Sequence, residues 1–194
     1  DKRDEVHAIV KRVTAAKGKS DPNPPQDHGF MYSRAFEDLD GHGWGPFSMD
    51  VAAHAEAMAR RMIATLSDGH FRYELDDGAA VEVAVRIDRA AGHATIDFTG
   101  TSEQRPTNFN APFSVTRAAV LYVLRTLVDE AIPLNDGFLR PIDLKVPEGS
   151  MLNPRHPAAV VAGNVETSSC ITNALYGALQ VLAGSQPTMN NFTF

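Results

Sequence analysis

The sequence predicts an α+β domain in which helices pack against a mostly antiparallel sheet. Three patterns carry that expectation: apolar alternation at 71–75 and 81–87 around Asp77-Gly78, apolar residues at helical spacing in 51–66 and again from Thr167, and a strongly apolar stretch after Ser114. From the N-terminus, Val6, Ile9, Val10 and Val13 recur at helical spacing among charges and predict a short amphipathic helix that frays at Gly18. Residues 18–48 are crowded with Gly, Pro, Asp and Asn and read as loop or linker, ordered only where Phe30, Tyr32, Phe36 and Trp44 dock. The expected organisation is therefore an N-terminal helix and linker over 1–48 and one domain over 49–194.

Within that domain, Val51, Ala55, Met58, Met62 and Leu66 make one helical face, with Ser48 or Asp50 as N-cap and Asp68-Gly69 as terminator. Phe71, Tyr73 and Leu75 alternate, Asp77-Gly78 turns the chain, and Val81, Val83, Val85 and Ile87 alternate again, which is a half-buried hairpin. The segment HATIDFTG follows a turn at Ala91-Gly92 and adds a third strand to an antiparallel meander. Ser114 is expected to cap a helix reaching about Ala131; its Ala118, Leu121, Tyr122, Leu124, Leu127 and Val128 spread over more than one face and predict extensive burial. Ile142, Leu144 and Val146 alternate as a further strand, stopped by Pro147-Glu148-Gly149. A turn at Gly163-Asn164 introduces the last helix, from about Thr167, with Ile171, Leu175, Leu179 and Leu182 on its apolar side.

At 194 residues and 43% hydrophobic, the chain can bury one good core but not two full domains. A formal charge of −6 with no Lys/Arg-rich run gives nucleic acid nothing to bind. A single cysteine, Cys170, excludes an intramolecular disulfide framework and a zinc ribbon. No apolar run approaches a membrane span and no signal-peptide core is present, so a cytoplasmic protein without membrane attachment is expected. Because the chain starts at Asp1 and stops inside TMNNFTF, it is expected to be a fragment, incomplete at both ends.

Three stretches are polar where a scaffold has no need of it. The first joins Asp97, Thr99, Thr101 and Ser102 to Asn108 and Asn110; Asn offers both an acceptor and a donor, the complement of a cyclic amide or a carboxylate, although Asx and ST turns use the same residues. The second, AGNVETSS, opens the last helix, where backbone N–H groups favour an anion and Glu166 is a candidate general base; ordinary capping is the competing reading. The third places Asn190 beside Asn191 between an apolar helix and an aromatic pattern, as a pocket floor or a simple turn. The seven histidines show no HxH or HExxH spacing, and no GxSxG elbow or P-loop is present. Asp38, Asp40 and His42 alternate in the linker as weak cation ligands, and Cys170 reads as a buried small hydrophobe rather than a nucleophile.

Read in order, DFTGTS, NFNAP, VTRAAVLYVLRTLVDEAIPLNDG, LRPIDLKVPEGSMLNP, PAAVVAGNVETS, NALYGAL and TMNNFTF resemble the C-terminal region of the hydantoinase B / 5-oxoprolinase family, over about residues 54–194. The wording is most similar to the fused 5-oxoprolinase type. The resemblance implies a piece of a larger hydantoinase B-like domain in an ATP-dependent amidohydrolase that opens 5-oxo-L-proline to L-glutamate, or a hydantoin. It further implies ATP and Mg2+ used through a hydantoinase A-type partner region, and a homo-oligomeric assembly. A divalent metal in the hydantoinase B region would have its ligands outside this chain, so the fragment alone is expected to be inactive. Carried onto this sequence, Glu166, Asn164 and Thr167 are the expected catalytic positions, and Asp97, Thr99, Asn108, Asn110, Asn190 and Asn191 the expected substrate-binding ones. Two other readings compete: a subunit of an ATP-dependent small-ketone carboxylase, and a truncated, non-catalytic association module.

Overall fold

The computed structural model describes residues 2–20, 26–27, 32–37, 43–47, 49–129 and 135–184. Two compact units form, one from Asp1–Ala57 with Ala131–Phe138 and one from Met58–Glu130 with Leu139–Phe194.

In the first unit, α1 (Lys2–Ala15) buries Val10 and half-buries Ile9 and Val13, the face its spacing predicts. The helix closes at Lys17, whose φ of 67° is left-handed, rather than at Gly18. The segment expected to be loop or linker is corrected here: it holds β1 (Lys19–Ser20), β2 (Gln26–Asp27), β3 (Tyr32–Glu37) and β4 (Gly43–Phe47) in an antiparallel sheet. The pairing sets Ser20 opposite Phe36, Gln26 opposite Ser33 and Trp44 opposite Phe36. Turn residues separate strands as readily as they fill linkers, so composition alone hides short strands.

The second unit holds the main core. From the end of α2 (Met49–Thr65) it takes Met62 and Ile63, with Leu66 just beyond. Asp68 does not end the helix; its Oδ1 accepts from the Ile87 N–H at 2.7 Å, and Gly69 opens the next strand. The sheet runs β5 (Gly69–Glu74), β6 (Ala80–Asp88), β7 (His93–Asp97) and β8 (Ile142–Lys145), in that spatial order. The first three form the expected antiparallel meander, whereas β8 pairs parallel to β7, Ile96 against Leu144. The chain reaches that parallel edge through α3 (Phe113–Thr126), since a parallel neighbour requires a crossover.

Alternation assigns the two faces of this sheet. Val81, Val83, Val85, Ala94 and Ile96 point into a core shared with Val120, Val123, Ile171 and Leu175. Each buried Val, Ile or Leu among them contributes roughly 1.5–3 kcal/mol. The opposite face carries His70, Arg72, Glu82, Arg86, Asp97 and Lys145. Over the core face lies α4 (Ser168–Leu179), so close that a Cβ at Gly69 would run into the carbonyl oxygen of Ala178.

Two helix predictions are corrected. The N-cap of α3 is Pro112, not Ser114, and the helix stops at Thr126 with Leu127 as C-cap. Its burial is one-sided, because Thr116, Ala119, Val120, Val123 and Leu124 are buried while Ala118 is exposed and Tyr122 is 58% exposed. In α4, Gln180 takes a left-handed C-cap, which leaves Leu182 outside the helix and exposed.

Candidate functional site

The first and second polar stretches meet in space, and Asn110 joins them. Fully buried, its Oδ1 accepts from the Arg105 N–H at 2.7 Å, while its Nδ2 donates toward the carbonyls of Arg105, Thr107 and Ala159 at 2.9–3.0 Å. The amide is thereby taken up entirely by backbone, so Asn110 is a clasp between two loops and offers a ligand nothing. The Ala162 N–H donates to the Asn108 carbonyl at 3.0 Å, and the buried Thr167 hydroxyl donates to the Phe109 carbonyl at 2.6 Å. Thr167 therefore faces the protein and not a substrate. Between these bonds a Cβ on Gly163 would strike the Asn110 carbonyl oxygen and lie 2.8 Å from the Ala111 Cα, so only glycine permits the approach.

Gly163–Thr167 is a π-helical turn leading into α4, a form that recurs at functional sites. Four of its amides are taken, contrary to the anion-site expectation: those of Val165, Glu166 and Thr167 converge on the Ala162 carbonyl at 2.8–3.3 Å, and that of Gly163 reaches the Val160 carbonyl. The turn instead presents side chains. Asn164 is exposed and lines a groove of about 500 Å³ between α3 and α4, with Ser114, Tyr122, Ser168, Ser169 and Thr172 on its walls. Ser168 and Ser169 belong to the second polar stretch, whereas Ser114, Tyr122 and Thr172 were not anticipated as site residues. The signal for Thr172 is its spacing, four residues beyond Ser168, which itself lies four beyond Asn164.

Glu166 points elsewhere. It does not line the groove; its charge acts on Cys170, one turn further along. Its carboxylate forms no hydrogen bond or ion pair among the described residues. The Cys170 thiol is pushed up to about 11, first by burial and then by Glu166. A thiol held protonated is inert. Since the raised value means that the folded state keeps its proton longer, the stability this group lends is whole below the ordinary thiol range and declines as pH climbs toward 11. At pH 8, iodoacetamide is expected to label Cys170 in urea-unfolded protein and to leave the native protein unlabelled over the same interval; equal rates would put the thiol at the surface.

Asp97 and Thr99 are not brought to this place. Asp97 lies on the sheet face opposite α4, 4.0 Å from Lys145 Nζ, and its Oδ1 accepts from the Thr99 N–H at 2.9 Å. Its carboxyl is held below the usual range, first by hydrogen bonding from Thr99 and more weakly by Lys145 and Arg86. This is an Asx turn, the plainer of the two readings of that stretch. Thr101 and Ser102 likewise bond the backbone of β6, at Glu82 and Ala80. Asn108 is exposed, with its carbonyl committed to Ala162 and its side chain outward. Asn190, Asn191, Asp38, Asp40 and His42 lie outside the described residues. Among the described residues no group of three or more His, Cys, Asp or Glu is placed to hold a metal ion. No helix among them is long and apolar enough to cross a membrane.

An α+β unit with helices on one face of a mixed four-stranded sheet is also what a solved nucleotide-free acetone carboxylase contains, with a TM-score of 0.55 at 18% identity over 67% of this chain and 20% of that one. At that identity the likeness is one of fold. The chain belongs to the Hydantoinase B/oxoprolinase family, whose model matches residues 46–194. It is 49% identical to 5-oxoprolinase 1 of Arabidopsis thaliana over 62% of this chain, and 41% identical to the 5-oxoprolinase of Saccharomyces cerevisiae over 74%. It is 44% identical to the 5-oxoprolinase of Dictyostelium discoideum over 62% of this chain and 10% of that protein. The chain likewise spans only 10% and 12% of the plant and yeast proteins.

Proposed function

We propose that the chain is part of the hydrolytic region of an ATP-dependent cyclic amidase whose whole protein opens 5-oxo-L-proline to L-glutamate. Similarity to 5-oxoprolinases supports the substrate, and one structural observation carries the site: two separate polar stretches meet at a π-helical turn that opens on a polar groove. An unstrained lactam is a stabilised amide that water attacks slowly, so the reaction needs an activated oxygen and a placed water. A hydantoinase A-type partner region, with ATP and Mg2+, would supply the activation. In this chain Asn164 holds the substrate from the turn, and Glu166, on the same turn but outside the groove lining, takes the proton from the attacking water where the reacting carbonyl projects beyond the groove. Asn108 stands at the outer rim, while Asn110, Thr167 and Gly163 hold the turn in shape. The assembly is a cytoplasmic homo-oligomer in this reading, with Asn190 and Asn191 as further candidate substrate contacts.

The test is to express the full reading frame with its partner region and to measure ADP and glutamate together. Coupled formation supports ring opening. ATP use that depends on a ketone with bicarbonate, and not on 5-oxoproline, would replace it with carboxylation. In the same protein Glu166→Gln is expected to lower kcat by about 100-fold with KM changed only a few-fold; unchanged turnover removes Glu166 from this role.

A further inference from the structure

The groove between α3 and α4 has a donor and acceptor polarity that its lining fixes. Among the described residues that line it, none is charged. The Ser168 hydroxyl donates to the Asn164 carbonyl at 2.7 Å, and the Thr172 hydroxyl donates to the Ser168 carbonyl at 2.9 Å. Each hydroxyl has a single proton, so both are committed to the helix and each oxygen keeps its lone pairs for the groove. Ser169 is turned the same way, toward the Val165 carbonyl at 3.5 Å. Along Ser168, Ser169 and Thr172 the α4 wall is therefore a row of acceptors, the amides of Asn164 and Asn173 can both donate and accept, and no Lys, Arg, Asp or Glu stands among the described residues of the lining. A volume of about 500 Å³ suits a small molecule.

We propose that this groove receives the N–H edge of a neutral cyclic amide, and that Ser168 and Thr172, with Asn164 at the end of the row, set specificity for a ring nitrogen that carries hydrogen. The inference rests on the cyclic-amide reading above and deepens it. A ring N–H would donate to the hydroxyl oxygens, while a carboxylate on the same ring stays at the open mouth, because no cationic side chain stands among the described lining residues. A lactam alkylated on nitrogen loses the donor and leaves those oxygens facing an apolar group, which a site built for hydrogen bonding rejects.

The experiment uses the full-length protein with its partner region and two readouts. Calorimetry compares 2-pyrrolidone with N-methyl-2-pyrrolidone, and kinetics follow 5-oxoproline. The wild type is expected to prefer the N–H lactam at least fivefold. Thr172→Val, which keeps the shape and removes the acceptor, is expected to abolish that preference and to raise KM for 5-oxoproline roughly fivefold with kcat within twofold. Ala118→Leu, at an exposed helix position on the groove wall, is expected to weaken binding of both lactams by filling the space. Unchanged preference and KM in both variants would overturn the inference even if the wild type opens 5-oxoproline. A lowered melting temperature with KM unchanged would also overturn it, by making the groove a packing surface. If the wild type fails to open 5-oxoproline yet keeps an N–H preference that Thr172→Val removes, the groove assignment stands and the proposed reaction falls.

Discussion

Gly163→Ala is expected to cost about 3 kcal/mol or more of stability and to take substrate affinity with it. The added Cβ would meet two backbone groups, the carbonyl oxygen of Asn110 and the Cα of Ala111, and backbone cannot step aside as a side chain tip can. Relief requires the 105–111 loop to part from the turn at Gly163–Thr167, which would break the Ala162-to-Asn108 and Thr167-to-Phe109 hydrogen bonds and move Asn164 off the groove wall. Urea unfolding should show a lower midpoint with an unchanged slope. Gly78→Ala is the comparison: its φ of +79° is left-handed but nothing lies within 4 Å, so about 1 kcal/mol of conformational strain is all it should lose. Similar losses from the two substitutions would mean that the loops are not in contact.

Asn110→Ala is the second large effect, at about 3–4 kcal/mol. It removes one acceptor and a donor group shared among three carbonyls, and the Arg105 N–H and the carbonyls of Arg105, Thr107 and Ala159 lose their partner together. Asn110→Asp should fare no better at neutral pH, since a carboxylate only accepts and would face those three carbonyls without a proton to give. Thermal unfolding of the two variants checks both statements; an aspartate as stable as the wild type would show that the amide donor is dispensable.

The contrast between Asn110 and Asn164 explains how much of the site could be read in advance. Both are asparagines beside small residues in conspicuous stretches, and residue type nominates them equally. Only burial separates them: one amide is enclosed and consumed by backbone, the other stands exposed on a groove wall. Asp97 was legible as a strand end but not as a residue of the wrong sheet face, because alternation gives relative faces and the position of the helices gives the absolute one. The meander, α2 and α4 were plain from periodicity, whose repeat is a local property. The strands of 19–47 were hidden by their turn residues, and the exposed side of α3 by its apolar composition, since Ala118 and Tyr122 count as hydrophobic whether or not anything covers them. The polar row at 164, 168 and 172 was visible as spacing, but the meaning of its Ser168 and Thr172 hydroxyls as acceptors depends on where each proton goes, which no sequence states.

The parallel edge at β7 and β8 has a consequence for how the molecule assembles. Strands β5, β6 and β7 join neighbours in the chain through short turns, so the hairpin contacts are local and can form within microseconds. Ile96 must then wait for Leu144, across a connection that includes all of α3, and closing so long a loop is an entropic debt settled only when that helix has docked. During synthesis the meander would emerge and fold first with its β7 edge still unpaired, and until β8 arrives that edge is exposed to pairing with a stranger.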